Sequence, residues 1–542
     1  MIKRLFHKKT HTIGIAALII GISSIVSALL GLLRDRLLAS QFGAGLELDI
    51  YYAAFRIPDL VFGILISGGI IAAFLPVFSE YYQKDEKEAW KLTSNTLNIF
   101  LLFSIVLCAI LAIFAPQLIK LIVPGFDPSS QATTVLLTRI MFLSPIFFGI
   151  SNIFSSILHY FNHFVSFSLA PILYNVGIII GILFFVPIFG IVGLAYGVVL
   201  GVLMHWLIQI PSVVLNGFKY RPILDFKSVG LKKILFLMIP RTISAIIANF
   251  NLIIVTAIAS TIGVGNISIF NFSDHLRALP ITVIGGSFAV AAYPFMAKAW
   301  ADGKKDLFIS KMGKAFKQSL FLIVPLSVVT LLLRAQIVRI ILGTGKFGWL
   351  ETQLTAASLG IFAISIFAYA LSPFLVRIFF SVHDTKTPLF TSIISLGTSI
   401  AFSFIFVKAL SSVNWFSQFI ANVFKLNNID NISVIGLPLA ITVSGIIQVI
   451  LLLFLLKRKI KEFPIREIGN TFHKVLIASV IMGGVLYYSL QIFGSILETS
   501  TFIGILLQTI LSGIVAGLSY LFFSYLLKIE EVSYIKNLFF KK

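Results

Sequence analysis

Charged side chains interrupt the long apolar stretches of this 542-residue sequence at a few places. An ionisable group at the centre of a bilayer costs about 2.5–3.5 kcal/mol on insertion scales, so such residues usually serve a site. The candidates for ligand binding are Arg34 and Asp35 at the end of the first stretch, Asp49, Arg56 and Asp59 in the second, Asp274, His275 and Arg277 in the eighth, and Arg377 in the tenth.

The spacing of these residues places charges on shared helix faces. Asp49 and Arg56 are seven residues apart and so lie on one face of a helix, whereas Arg56 and Asp59 are at pairing distance at i,i+3. His275 follows Asp274 directly, which strengthens its candidacy as a site residue. The structural alternatives are a neutral packing pair for Arg56 with Asp59 and a hydrogen-bonded core histidine for His275.

The cations among these candidates are arginine or histidine, and the lysines lie in the connections or close to the ends of the apolar stretches. Guanidinium is always charged, is weakly hydrated and binds phosphate oxygens with two parallel hydrogen bonds. The arginines Arg34, Arg56, Arg139, Arg241, Arg277 and Arg377 outnumber the aspartates Asp35, Asp49, Asp59 and Asp274. This excess predicts an anionic passenger such as a diphosphate, because an exporter of cationic drugs should show an excess of carboxylates.

Sequence signatures of catalysis are missing. The chain has no P-loop, no His-Glu-x-x-His motif, no nucleophile elbow and no soluble domain that could carry an ATPase. Cys108 is its only cysteine, which excludes a disulfide and a cysteine-rich metal site. We therefore expect a protein that is not an enzyme, has no cofactor, and takes its direction from a cation gradient or the membrane potential.

The elements that position these residues are membrane helices. The sequence is 58% hydrophobic and only 12% charged, with a mean hydropathy of +1.02, whereas soluble domains are about half apolar and a quarter charged. The apolar runs are continuous and about 20 residues long, as transmembrane helices require, and do not alternate as strands of a membrane barrel would. Fourteen spans are predicted at 12–33, 48–78, 92–115, 134–158, 165–187, 190–215, 231–260, 267–297, 314–341, 352–381, 388–410, 433–456, 472–494 and 500–527, with bends at Pro58, Pro280 and Pro373.

The distribution of basic residues predicts the topology. The chain carries a formal charge of +21, and most of its lysines and arginines fall in alternate connections, beginning with the N-terminal segment. By the positive-inside rule both termini are predicted to be cytoplasmic. Residues 1–10 are basic and precede an apolar stretch without a small-residue cleavage site, so we expect a retained first helix. Without a nucleic-acid-binding motif, the basic charge does not indicate a nucleic-acid partner.

An internal repeat links the two halves of the chain. Residues 68–78 (GGIIAAFLPVF) resemble residues 285–295 (GGSFAVAAYPF), and residues 124–126 (PGF) resemble 345–347 (GKF), at an offset of about 220 residues or six spans. An even number of spans gives two halves of the same orientation, as in parallel-repeat transporters. We predict a pseudo-two-fold arrangement with an N-terminal lobe at 1–217, a C-terminal lobe at 218–460, and two further helices with a cytoplasmic tail at 461–542.

Ordered motifs between about residues 20 and 390 carry a family resemblance. They are residues 27–35 (SALLGLLRD), 42–45 (FGAG), 49–60 (DIYYAAFRIPDL), 73–81 (AFLPVFSEY), 274–280 (DHLRALP), 345–347 (GKF) and 377–388 (RIFFSVHDTKTP). Through them the chain resembles the MurJ (MviN) family of lipid II flippases, within the multidrug/oligosaccharidyl-lipid/polysaccharide exporter superfamily. In this resemblance Arg34 and Asp35 match the first-span Arg-Asp of the family, Asp49 its second-span aspartate, Asp59 the Asn/Asp after its proline, and Asp274 its span-eight aspartate.

The resemblance implies a flippase in the bacterial cytoplasmic membrane, involved in peptidoglycan biosynthesis and cell shape. We expect a monomer, because the pseudo-two-fold symmetry already lies within one chain. It would move lipid II, an undecaprenyl-diphosphate-linked precursor, from the inner to the outer leaflet by alternating access. The diphosphate headgroup would enter a central cavity between two six-helix lobes, while the lipid tail would stay near the last two helices.

Four positions depart from the family pattern. Many members have Arg at the positions of Ala28, Phe62 and His275, and Glu at that of Ser67. Arg277 and Arg56 are the candidates to supply the missing charge. The alternatives are export of another polyprenyl-diphosphate-linked glycan, ion-coupled drug antiport, and a non-transporting scaffold. The headgroup, the coupling ion, the resting conformation and the oligomeric state stay open at this stage.

Overall fold

The described part of the chain is built from α-helices. A computed structural model describes residues 13–67 and 70–532, and these residues contain no strand. The all-α membrane architecture that the apolar runs predict is thereby confirmed. Two compact units divide the chain, Met1–Ser268 and Ile269–Lys542. The helix Val229–Ile262 packs within the first unit. The predicted lobe boundary at 217/218 stays a prediction.

The first unit combines long helices with several short ones. They are α1 (Ile13–Phe42), α2 (Leu46–Ala54), α3 (Arg56–Phe62), α4 (Ile70–Lys84), α5 (Glu86–Ile113), α6 (Ala115–Ile122), α7 (Pro128–Met141), α8 (Leu143–Tyr160), α9 (Phe164–Ile180), α10 (Val186–Phe189), α11 (Val192–Leu207), α12 (Ile210–Leu215) and α13 (Val229–Ile262). Side-chain caps set several starts. Asp127, for example, accepts hydrogen bonds from the amides of Ser129 at 3.0 Å and Ser130 at 3.2 Å at the start of α7.

The second unit has longer, less interrupted helices. They are α14 (Asn266–Pro280), which begins in the first unit, α15 (Ser287–Ala301), α16 (Lys305–Leu332), α17 (Arg334–Ile341), α18 (Trp349–Ser381), α19 (Lys386–Leu410), α20 (Trp415–Phe424), a 3₁₀ turn (Ser433–Ile435), α21 (Gly436–Lys459), α22 (Ile465–Ile496) and α23 (Phe502–Leu526). The core of this unit is rich in fully buried phenylalanines, including Phe308, Phe316 and Phe374. Because α18 contacts α15, α16 and α21, it is the central helix of the unit.

Twelve helical segments of the described residues are long and apolar enough to cross a membrane. They coincide with twelve of the fourteen predicted spans. The predicted second span corresponds to the broken run from α2 to α4, and the predicted seventh span corresponds to α13. The total of fourteen therefore stays a prediction.

π-Helical turns interrupt three of the spans, at Gly63–Ser67, Gly181–Phe185 and Ile281–Gly286. The first lies five residues after Pro58 and the third directly follows Pro280, where proline removes a helical hydrogen bond. These two turns are about 220 residues apart, which matches the offset of the sequence repeat. Pro373, in contrast, lies inside the uninterrupted helix α18.

Glycines bring α9 and α11 into direct backbone contact. Gly177 and Gly181 face Gly197 and Gly201, in the small-xxx-small pattern that allows close packing of membrane helices. A Cβ atom on Gly177 would lie 2.2 Å from the Cα of Gly201, and a Cβ on Gly181 would lie 2.4 Å from the Cα of Gly197. Any side chain at these positions would push the two helices apart.

Gly197→Ala is therefore expected to destabilise the protein by about 1–3 kcal/mol, the usual cost of overpacking a tight interface. The added Cβ would lie 2.7 Å from the Cα of Gly181. Thermal unfolding in detergent measures the effect. Gly397→Ala in α19 is the matched control, because nothing lies within 4 Å of a Cβ at that position. An equal melting temperature for the two variants would contradict the close packing of α9 and α11.

An ion pair ties the turn before α19 to the end of α21. The Lys459 ammonium lies 2.6 Å from Asp384 Oδ2, and the hydroxyl and amide of Thr387 donate to the same carboxylate at 2.8 and 3.0 Å. Partial burial opposes ionisation of Asp384, but the hydrogen bonds from Lys459 and Thr387 outweigh it and lower the pKa of the carboxyl group. The ionised form of Asp384 is therefore the one that stabilises the fold.

Asp384→Asn is expected to lower the melting temperature at pH 7, with the loss shrinking as the medium is acidified. A carboxyl group whose pKa is depressed in the folded state stabilises above its unfolded pKa of about 4, and this contribution disappears as the pH falls through the lower folded value. Melting curves at pH 7 and pH 3 make the comparison. Asp302→Asn, which alters a more exposed pair with Lys304 at 3.5 Å, serves as control. A pH-independent difference would refute the role of the Asp384 charge.

Candidate functional site

The first cluster in unit 1 surrounds the Arg34 guanidinium near the end of α1. Its Nε and Nη2 donate to Asp35 Oδ1 at 3.1 and 2.9 Å, and its Nη1 donates to Asn175 Oδ1 at 3.2 Å. Asn175, on α9, also donates to the hydroxyl and carbonyl oxygens of Ser27 at 3.3 Å. The Arg34 side chain is 19% exposed and that of Asp35 is 5% exposed. The pair is thus fixed on one side by the protein and partly accessible on the other.

Two tyrosines connect this pair with Asp59. The charges of Arg34, Asp35 and Asp59 all act on the phenol of Tyr51, and those of Arg34 and Asp59 act on Tyr174. Tyr51 belongs to α2, Tyr174 to α9 and Asp59 to α3. Three of the predicted residues, from α1 and α3, thus lie within electrostatic range of the same phenols.

Asp49 has a different environment from the other predicted residues. Its side chain is completely buried, and its carboxylate accepts hydrogen bonds from the amide of Gly265 at 2.6 Å, the amide of Ser268 at 2.8 Å and the hydroxyl of Ser268 at 2.6 Å. These groups form the start of α14. A carboxylate at this place satisfies free amides and complements the positive end of the helix dipole.

The loop before α14 is shaped for this contact. Gly265 has φ +87°, a conformation that side chains with a Cβ rarely adopt. A Cβ on Gly265 would also lie 2.2 Å from the carbonyl oxygen of Ala44. The FGAG segment before α2 and the loop before α14 are thus in close contact, and Asp49 links them. α14 carries Asp274, His275 and Arg277, so Asp49 positions the helix with the second group of predicted residues.

Arg56 opens α3 and is buried, with 6% of its surface exposed. Its Nε donates to the hydroxyl of Thr256 on α13 at 2.6 Å. Its charge also acts on Tyr52, which lies near Arg34 and Asp35 as well. The pairing of Arg56 with Asp59 stays a prediction. Thr256 gives Arg56 a role in joining α3 to α13.

The second unit holds Arg277 between two aromatic rings of α18. The guanidinium carbon lies 3.9 Å from the centroid of Phe362 and 4.6 Å from that of Tyr369, and Nε donates to Asp274 Oδ1 at 2.6 Å. Arg277 is only 9% exposed, and its Nη1 is buried without a hydrogen-bond partner. Such an orphaned donor is costly unless a ligand satisfies it.

Asp274 and His275 lie beside this arginine on α14. The side chain of Asp274 is 26% exposed, more than twice the 11% of Arg277, and His275 is half-buried. The pair between Arg277 and Asp274 is neutral overall, but only the guanidinium retains an unused donor. Phe362 and Tyr369 hold the plane of the guanidinium in one orientation.

Arg377 lies at another level of the same unit. It follows Tyr369 by eight residues on α18, which corresponds to about 12 Å along the helix axis. Its Nη1 is also buried without a hydrogen-bond partner, and its charge acts on Tyr293 of α15. Arg277 and Arg377 therefore contact different levels of the second unit, and each has one buried Nη1 without a hydrogen-bond partner.

The excess of positive charge among the candidates lies in the second unit. The first unit contributes two arginines and three aspartates, and the second contributes two arginines and one aspartate, beside His275. Arg139, which the sequence count included, is exposed and donates to the carbonyl of Ala112 at 3.0 Å, and the side chain of Arg241 is outside the described residues. The convergence of arginines from both halves on one chamber stays a prediction.

Several residues of these clusters were not predicted from sequence. Asn175 and Tyr174 are the partners of Arg34, and Phe362 and Tyr369 are those of Arg277. An amide inside an apolar span, such as Asn175, is a usable signal because membrane helices rarely carry one without a partner. Phe362 and Tyr369 are seven residues apart and share a helix face, but this pattern is common in any packed helix.

The chain matches a known protein family over most of its length. The sequence profile of the family described as lipid II flippase MurJ matches residues 38–508 of the chain. The chain belongs to the MurJ family. The family resemblance that the motifs indicate is confirmed, and the match includes every candidate residue except Arg34 and Asp35.

Relatives from other bacteria match over most of their length. A probable lipid II flippase MurJ of Buchnera aphidicola subsp. Schizaphis graminum is 28% identical over 530 residues, which cover 96% of this chain and 98% of that protein. The lipid II flippase MurJ of Burkholderia cenocepacia is 26% identical over 398 residues, which cover 71% of this chain and 77% of that protein. MurJ-type sequence is thus present from the first spans to the last.

Solved structures support the same assignment. A structure described as lipid II flippase MurJ in an inward closed conformation has a TM-score of 0.74 and 27% identity, and the match covers 94% of this chain and 98% of that one. An inward-facing MATE-family multidrug transporter of the MOP superfamily has a TM-score of 0.65 at 16% identity, covering 81% and 95%. The latter likeness shows a shared fold alone.

Proposed function

We propose that this MurJ-family protein is a flippase that translocates lipid II, the lipid-linked peptidoglycan precursor, from the inner to the outer leaflet by alternating access. The family match over residues 38–508 is the observation that carries the proposal. The named relatives and the MurJ structure, each described as a lipid II flippase, agree with it.

The chemistry of the candidate residues suits a diphosphate. Arg277 offers a buried, unused N–H donor on a guanidinium held by two rings. Arg34 offers a partly accessible guanidinium fixed by Asp35 and Asn175. Charge-assisted hydrogen bonds from guanidinium to phosphate are short and strong, and preorganised donors lose little entropy on binding. Arg277 would then supply the charge that many family members place at the position of His275.

The remaining properties of the proposal follow from topology and composition. The protein would be a monomer of the bacterial cytoplasmic membrane with both termini in the cytoplasm, as the distribution of basic residues predicts. Translocation needs no catalytic residue or cofactor, and a cation gradient or the membrane potential would supply its direction. Ala28, Phe62, Ser67 and His275 leave open which sugars and peptide the headgroup carries.

Depletion and rescue test the proposal. In a bacterium whose own lipid II flippase is depleted, this chain should restore growth and remove the lipid II that accumulates in the inner leaflet, whereas Arg34→Ala should not. Arg139→Ala is the matched control, since Arg139 is exposed and bonded only to a backbone carbonyl. If the wild-type chain leaves the distribution of lipid II between the leaflets unchanged, the proposal is wrong. Selectivity for the headgroup is measured by comparing translocation of lipid II in vesicles with translocation of another undecaprenyl-diphosphate-linked glycan.

A further inference from the structure

A large apolar groove in the first unit is not used by any of the clusters above. It has a volume of about 580 Å³ and lies between α5, α13 and the π-helical turn after α3. Its floor consists of buried residues, including Leu65, Phe100 and Met238, and its sides consist of residues that are 40–60% exposed. Among the latter are Phe103 at 54% and Ile239 at 56%. Exposed apolar sides of this kind are suited to contact with the hydrocarbon of a bilayer.

The lining of this groove is suited to hydrocarbon. Thr242 is the only polar side chain among the described residues that line it, and the Thr242 hydroxyl donates to the backbone carbonyls of Met238 at 3.1 Å and Ile64 at 3.3 Å. The described lining residues therefore offer no free polar side chain to a sugar or a peptide. The volume lies within the range of about 300–1,000 Å³ that is typical of small-molecule sites.

One end of the groove has a basic rim. Phe226 lines the groove and is followed directly by Lys227, and Lys232 shares the face of α13 that carries Leu235 and Ile239, at spacings of three and four residues. Both lysines are exposed, and neither forms an ion pair among the described residues. Their neighbour Lys233, in contrast, is paired with Glu80 at 2.6 Å.

The connection that forms this rim is held in place by α5. Asn95 exchanges two hydrogen bonds with the backbone of Asp225, at 2.8 and 2.6 Å, and Asn98 donates to the carbonyls of Arg221 and Ile223 at 2.9 Å. The position of Lys227 at the mouth of the groove is therefore determined by buried amides, and does not depend on a free loop.

We propose that this groove binds an acidic phospholipid of the bilayer, with an acyl chain between α5 and α13 and its phosphate at Lys227 and Lys232. An open apolar trough with two ammonium groups at one end complements a hydrocarbon chain joined to a single anionic phosphodiester. The predicted topology places the rim at the cytoplasmic surface, so the lipid comes from the inner leaflet. This site shares no residue with the clusters of Arg34 and Arg277 and does not depend on the proposed transport function.

Photolabelling tests the site. The full-length protein is placed in phosphatidylcholine nanodiscs that also contain phosphatidylglycerol with a photoreactive acyl chain. We expect labelling of peptides that contain residues 99–106 and 235–242. The double variant Lys227→Gln/Lys232→Gln should need about 30-fold more phosphatidylglycerol for the same labelling, because each basic residue near a membrane surface contributes about a factor of five. Lys305→Gln/Lys457→Gln, which removes two exposed lysines elsewhere, should leave labelling unchanged.

Ile239→Trp, which fills the groove, should abolish labelling. If that variant does not fold, the lysine double variant still decides the question. Equal labelling by photoreactive phosphatidylcholine, or an unaffected double variant, would overturn the proposal of an anionic lipid. If undecaprenyl phosphate competes with phosphatidylglycerol and prevents labelling of the same peptides, the proposal of a phospholipid is also wrong. The groove would then be assigned to a polyprenyl chain.

Discussion

Arg277→Ala is expected to abolish translocation while leaving the protein inserted in the membrane. Its guanidinium, stacked on Phe362 and Tyr369, keeps a buried Nη1 without a partner. A hydrogen bond to a charged group contributes about 1.5–3 kcal/mol, so losing the donors to a diphosphate removes most of the binding. Arg277→Lys keeps the charge but loses the planar fork, and transport should fall about 10- to 100-fold. Reconstituted lipid II translocation measures both.

If the Arg277–Asp274 pair has only a structural role, a different result is expected for the double variant. If the arginine served only to neutralise Asp274, then Asp274→Asn/Arg277→Ala would restore transport, because both charges would be gone. If Arg277 binds the passenger, the double variant should be as inactive as Arg277→Ala. Normal transport by Arg277→Ala itself would remove this residue from the site. The double-mutant comparison therefore separates packing from ligand binding.

Asp49→Ala is expected to destabilise the start of α14 and to stop transport. The substitution leaves the buried amides of Gly265 and Ser268 without their acceptor, at about 1–3 kcal/mol each. Asp49→Asn keeps one oxygen acceptor, so it should lose less stability than Asp49→Ala. Thermal unfolding in detergent, together with lipid II translocation, measures the two effects on the same preparations.

Ser268→Ala is the control for the capping role of Asp49. It removes the one hydrogen bond from the Ser268 hydroxyl, 2.6 Å from Asp49, and retains both amide contacts. We expect a loss of about 1 kcal/mol and nearly normal transport. Wild-type thermal stability for Asp49→Ala would show that Asp49 does not hold α14, and loss of transport alone would then assign it to the ligand.

Asp49 also shows how far the sequence could lead. Its place in an apolar span made it a candidate for ligand binding, because an ionised group there is costly, and that role stays a prediction. Its partner in the structure is the start of a helix some 216 residues later in the chain, and no local pattern indicates that contact.

Composition and hydropathy predicted the helical architecture well because a lipid environment restricts a chain to few solutions. Fully hydrogen-bonded helices are the form that long apolar runs adopt in a bilayer. The surroundings of the arginines were less predictable. Asn175 meets Arg34 across 141 residues, and Phe362 and Tyr369 are aromatic residues like many others in this phenylalanine-rich chain. Their importance depends on tertiary contacts.

The π-helical turn at Ile281–Gly286 has a consequence for how its span presents side chains. A π-helical turn contains one extra residue. The side chains that follow it are therefore rotated by about 100° around the helix axis relative to a regular α-helix. Asp274 and Arg277 precede the turn and Lys298 follows it, so a wheel projection drawn through all three misplaces one end of the span. The polar face of this span therefore has to be determined separately for the helix before the turn and for the helix after it.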